Sequence, residues 1–145
     1  VVGDFVHVDG SSVAFVEASP IVVKCLQANI DAVLHALPTE NPPEIHTFKA
    51  DALNLPKLLP EWREKVDIIF ADPPYSPGKN QAGPGDFLLS TKIAEWAGHA
   101  LLVLEHGAAT RLPWAPASQW THIDTRSYGH TAVSFAQTLH RENSG

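Results

Sequence analysis

The run Asp72-Pro73-Pro74-Tyr75 combines residue types whose order could do chemistry. Asp72 and Pro73 each precede a proline, which pushes both toward extended angles. Pro73 and Pro74 have no N–H, so the backbone cannot continue a ladder there. A rigid stub of this kind offers the Asp72 carboxylate and the Pro73 carbonyl as two neighbouring acceptors, with the Tyr75 ring beside them. Two fixed acceptors suit a planar amino group with two N–H donors, and an aromatic ring suits stacking on a nucleobase, worth ~1–3 kcal/mol. The chemistry this describes is a clamp for an exocyclic amine, holding its lone pair toward an electrophile and stabilising positive charge as it develops on nitrogen.

Such a stub needs an element to present it. Residues 66–71 (VDIIFA) form a continuous apolar run, expected to be a strand buried on both faces. It ends at Asp72, at the strand end where open α/β sheets bind ligands. Residues 12–17 (SVAFVE) form a second strand ending in Glu17. Ser19-Pro20 then starts a helix over 20–37, with an apolar stripe through Val22, Cys25, Leu26, Ile30, Val33 and Leu34. Residues 44–50 are a third strand, followed by Asp51. Residues 55–65 predict a short helix or turn, and 76–86, rich in glycine and proline, a loop. A helix over 87–97 precedes a strand over 100–105, which ends in Glu105 and His106. Residues 120–128 and 131–140 read as a hairpin turning at Gly129-His130, and 141–145 as a loose tail. This order predicts an α/β sheet with crossover helices and an antiparallel edge, in one domain over 1–145.

The wider pattern resembles a known family. VAFVEAS (13–19), a helix with Gln27-Ala28-Asn29, FKADAL (48–53), DIIFADPPY (67–75), LLVLEH (101–106) and RSYGHTAVSF (126–135) follow in order. Together they resemble the RsmD family, bacterial methyltransferases acting on the N2 amine of a guanine in small-subunit (16S-type) ribosomal RNA. The resemblance implies a class I methyltransferase fold, a Rossmann-like three-layer sandwich with a mainly parallel sheet and an antiparallel C-terminal hairpin. It implies S-adenosyl-L-methionine as cofactor, with Glu17 at its ribose, Asp51 and Ala52 at its adenine, and Ala18 also among the cofactor-binding residues. Asp72, Pro73 and Pro74 would hold the target amine, Asp72 also bordering the cofactor, and Tyr75 would stack on the base. Glu105 and His106 would line the same crevice. The implied partner is ribosomal RNA or the small subunit, and the implied protein a cytoplasmic monomer that needs no metal and no membrane.

The chain departs from this family at its start. A strand, a glycine-rich turn and a helix should precede Glu17, yet Gly10 stands seven positions before it and no G-x-G lies near. A strand–helix–strand unit needs ~30 residues, so the first one is not encoded here. Residues 4–10 (DFVHVDG) read as a distorted remnant of its strand and turn, and the domain as N-terminally incomplete. The net charge of −6, with only ten Lys and Arg, gives no broad basic surface for phosphates. Two other functions therefore stand beside the first: a catalytically silent relative that binds RNA or protein in ribosome assembly, and an amino-methyltransferase acting on DNA adenine.

The remaining residues suggest blander roles. One cysteine excludes an internal disulfide, and Cys25, on the apolar stripe, is expected in the core. The histidines lack metal-ligand spacing. No G-x-S-x-G elbow of a serine hydrolase is present. The four tryptophans are expected to pack helices and loops against the sheet.

Overall fold

A computed structural model describes residues 4–8, 12–36, 43–74 and 82–138. Tyr75, Gly10 and the tail 141–145 lie outside the described residues. Among the described residues, seven strands form one sheet in the order β3-β2-β1-β4-β5-β7-β6. They are β1 (Asp4–Val8), β2 (Ser12–Glu17), β3 (Glu44–Lys49), β4 (Ile68–Ala71), β5 (Leu101–Gly107), β6 (Trp120–Tyr128) and β7 (Thr131–Thr138). The helices are α1 (Pro20–Ala36), α2 (Leu55–Leu58), α3 (Pro84–Leu89) and α4 (Thr91–Ala97). No helix among the described residues is long and apolar enough to cross a membrane.

The pairs β2–β3 and β4–β5 are parallel. Both β2 and β4 run against β1, so β2 to β5 all share one direction. Their carboxyl ends therefore meet along one edge of the sheet, where Glu17, Asp51, Asp72 and Glu105 stand. The terminal hairpin forms as the sequence suggests, with β7 antiparallel to β5 and β6 antiparallel to β7.

The strand β1 departs from the expected remnant. It fills the place between β2 and β4 but opposes both, because it joins β2 as a hairpin, pairing Asp4 with Val16 and Val8 with Ser12. The beginning of β1 lies at the edge of Glu17, and its end, where a glycine turn would have to follow, lies at the far edge. Parallel neighbours need a crossover of a dozen or more residues. The three residues between Val8 and Ser12 permit only the reversal.

Strand alternation sorts the core. Ala14, Val16, Ile69, Ala71, Leu102 and Leu104 face one side and are wholly or almost wholly buried. Against them pack Leu55 and Leu59 around α2, Phe87 and Leu88 of α3, and Ile93, Ala94 and Trp96 of α4. Trp96 adds direction, its Nε1–H donating to the Leu59 carbonyl at 2.7 Å inside this layer. Trp120 is also fully buried, and Trp62 and Trp114 pack against the cluster, as expected of the tryptophans. Gly98 closes α4 at φ 61°, and a Cβ there would meet the Glu64 Cα at 3.1 Å, so this turn takes glycine.

Three local expectations are corrected. Cys25 is exposed rather than core, because α1 buries only Val23 and Leu26 and leaves Val33 57% exposed. The apolar strand β4 is not buried on both faces: Ile69 and Ala71 are, but Ile68 is exposed and Phe70 half-buried. The helix expected over 87–97 is two helices beginning at Pro84. They break at Ser90, whose extended backbone ends α3 and whose hydroxyl accepts the Ile93 N–H at 3.3 Å to cap α4.

Candidate active site

The site is built from strand ends. Glu17 closes β2, and its carbonyl accepts the Ala50 N–H at 3.1 Å, which extends the parallel pairing past β3 and holds Glu17 next to Asp51. One carboxylate oxygen of Glu17 accepts the Ser19 N–H at 3.0 Å. Ser19 in turn starts α1, its carbonyl accepting the Val23 N–H and its hydroxyl the Val22 N–H. Asp51 has extended backbone angles and accepts the Leu53 N–H at 2.9 Å, capping the short turn over Ala52–Asn54. Each carboxylate offers about four lone-pair positions, so one backbone contact leaves room to accept hydroxyl or amino groups.

Asp72, Pro73 and Pro74 leave the end of β4 and border the same cleft as Glu17, Ala18, Asp51 and Ala52. The structure thus brings together every described residue expected at cofactor and amine. Tyr75 lies outside the described residues. The other wall includes Gly83 and Phe87, at the start of α3. The Gly83 N–H donates to the Asp86 carboxylate at 2.8 Å, which fixes that turn beside the stub. The signal for this wall was Gly83-Pro84 followed by Asp86, a proline-led helix start with an acid in its first turn.

Glu105 and His106 divide between the faces of the sheet. The last parallel pair of β4 and β5 is Ala71 with Leu104, so the next residues, Asp72 and Glu105, are neighbours on the opposite face. Their side chains are hydrogen-bonded to each other. Partial burial, with the Glu105 carboxyl next and Glu17 after it, pushes the Asp72 carboxyl up from 3.8 to about 6. His106 does not reach this crevice, contrary to expectation. It follows Leu102 and Leu104 to the core side, is 4% exposed, and shares a 2.7 Å hydrogen bond with the Ser134 hydroxyl while its Nδ1 meets the Gly107 carbonyl at 2.9 Å. Ser134 continues to Thr125 at 2.7 Å, and Thr125 to the exposed His122 at 2.6 Å, a polar chain across β5, β7 and β6.

The acceptors of the cleft suit the nucleoside part of S-adenosylmethionine. Acidic groups at the ends of β2 and β3 suit a ribose diol and an amino-purine edge, and they share a cleft with the Asp72-Pro73-Pro74 stub. The end of β1 is at the other edge of the sheet, so β1 contributes no carboxyl-end turn to the remainder of that molecule.

The fold recurs in solved structures. The candidate methyltransferase YhhF of Escherichia coli matches with 21% identity and a TM-score of 0.53 over 86% of this chain and 61% of its own. A candidate methylase of Haemophilus influenzae matches with 18% identity and a TM-score of 0.54, over 87% of this chain and 65% of its own. A conserved hypothetical protein of Streptococcus pyogenes matches with 19% identity and a TM-score of 0.58, over 86% and 70%. The chain spans less than two thirds of the first two. No curated protein matches it by sequence. The architecture is that of a Rossmann-like methyltransferase fold with a mixed sheet. The sequence profile described as Conserved hypothetical protein 95 matches residues 9–137, nearly the whole chain. The chain therefore belongs to this family, the RsmD family that its Asp72–Tyr75 stub and closing hairpin resemble.

Proposed function

We propose that this protein transfers a methyl group from S-adenosylmethionine to the exocyclic N2 amine of a guanine in small-subunit ribosomal RNA. The observation that carries this reading is the Asp72-Pro73-Pro74 stub at the end of β4, in one cleft with Glu17 and Asp51. The cofactor supplies an electrophilic methyl group on a sulfonium. Glu17, beside Ala18, accepts from the ribose hydroxyls, and Asp51 with Ala52 meets the adenine. The Asp72 carboxylate and the Pro73 carbonyl accept the two N–H bonds of the amine, which turns its lone pair toward the methyl carbon. Tyr75 stacks on the base. As the N–C bond forms, the nitrogen becomes cationic and its proton passes to the Asp72 carboxylate, an acceptor held above the usual carboxylate range by its surroundings. The partner on this reading is the small subunit or its RNA, met in the cytoplasm by a monomer.

The test is calorimetric titration with S-adenosylhomocysteine, followed by transfer of labelled methyl to small subunits. Glu17→Ala should weaken the titration at least ~10-fold, the scale of hydrogen bonds to a charged acceptor. A folded protein that binds no S-adenosylhomocysteine refutes the reading. That result would support the silent RNA- or protein-binding module, which the reversed β1 favours. Labelling of DNA adenine in place of ribosomal RNA would select the amino-methyltransferase alternative, to which the Asp-Pro-Pro-Tyr stub is equally suited.

A further inference from the structure

We infer that Glu105 is a positioning residue for the proposed methyl transfer, set beside Asp72 by strand register so that it accepts a hydrogen bond from the Asp72 carboxyl once that group has taken the amine's proton. The inference rests on that reading of the site and adds a residue from the neighbouring strand to it.

The geometry begins in the register of β4 and β5. Ala71 and Leu104 are paired and completely buried, so alternation turns the next two residues to the other side together. Adjacent strands lie ~4.8 Å apart, which sets the Asp72 and Glu105 side chains within reach of each other, and they are hydrogen-bonded. Two carboxyl groups can bond directly only when one of them carries a proton. Pro73 and Pro74 follow at once, so the backbone at Asp72 has little freedom to turn away.

Two further acids act on Asp72: Glu105, its neighbour across the β4–β5 register, and Glu17, which borders the same cleft from the end of β2. A like charge disfavours ionisation of its neighbour and so makes that neighbour more basic. Glu105 is the larger of the two carboxylate influences on Asp72, after burial itself. During transfer the N–C bond forms, the C–S bond breaks with its electron pair leaving on sulfur, and one N–H proton moves to Asp72. Glu105 lies beside the carboxyl that receives this proton and accepts a hydrogen bond from its protonated form. An acid that merely capped a strand in solvent would leave the pH dependence of the reaction unchanged.

The experiment is the pH profile of labelled methyl transfer to small subunits, in the full chain and in Glu105→Gln and Glu105→Ala. S-adenosylhomocysteine titration serves as the check that the cleft is intact. Removing the carboxyl should move the acid limb of the profile down by about one pH unit. Plateau turnover should fall about threefold, as a weaker base predicts, while S-adenosylhomocysteine affinity stays within that factor. Glu105→Asp, which keeps a carboxyl at this strand end, should hold the limb nearer its original place. An unmoved limb in active Glu105→Gln and Glu105→Ala overturns the role of Glu105 alone. A wild-type chain without transfer at any pH overturns the methyl-transfer reading and this inference with it.

Discussion

Replacing Asp72 by Asn should make the protein more stable at pH 8 and leave it unchanged at pH 4. The folded environment raises the Asp72 carboxyl from 3.8 to about 6 through partial burial and the neighbouring Glu105 and Glu17. A raised folded value means that the native state binds this proton more tightly than the unfolded chain does. The contribution is therefore fully present below the unfolded value and is lost as pH rises through about 6. Two pH units correspond to about 3 kcal/mol at 1.36 kcal/mol each. Asp72 is only partly buried, and screening by solvent reduces this to about 1–2 kcal/mol. Asn carries no charge to lose and can still donate to Glu105, so Asp72→Asn escapes the penalty. For a chain of this size the gain is roughly 3–6 °C in Tm. The assay is thermal unfolding followed by circular dichroism at pH 4, 6 and 8 for both proteins. Equal stability at pH 8, or the same gain at pH 4 as at pH 8, would refute the electrostatic account of this carboxyl.

Other substitutions probe the clamp and the core. Asp72→Ala should lower methyl transfer at least ~100-fold, the scale of removing one oriented electrostatic contact, in the labelled-methyl assay; near-normal turnover would remove Asp72 from the mechanism. Trp96→Phe should cost about 2–3 kcal/mol in urea unfolding, because it deletes the bond to the Leu59 carbonyl and leaves space in a fully packed layer. A change below ~0.5 kcal/mol would mean that the layer closes over the loss.

Much of this was legible because short-range signals decide it. The strand over 12–17 and the start of α1 follow from β-branched runs and a Ser-Pro cap. The stub at Asp72 follows from two prolines after an apolar strand. What escaped depends on the neighbours of an element. Nothing within residues 4–8 fixes which way that strand runs; the brevity of the link to Ser12 does. Cys25 sits on an apolar stripe, but α1 covers only part of the sheet, so stripe and burial part company. The separation of Glu105 from His106 was within reach of strand alternation. Leu102, Leu104 and His106 share a period of two, which assigns the histidine to the core side and the glutamate to the opposite face, beside Asp72.

The reversed strand has a mechanical consequence. The parallel pairs β2–β3 and β4–β5 carry the two halves of the cleft, with Glu17 and Asp51 on one and Asp72 on the other, and in the sheet only β1 lies between them. It joins β4 through three register pairs, Phe5 with Phe70, Val6 with Ile69 and His7 with Ile68. Cooperative units of a fold tend to separate where few bonds cross, and this short ladder is such a seam. Amide hydrogen exchange along β1 and at Ile69 would read its opening directly. Protection that rises there when S-adenosylhomocysteine is added would mark the ligand as a rivet across the two halves.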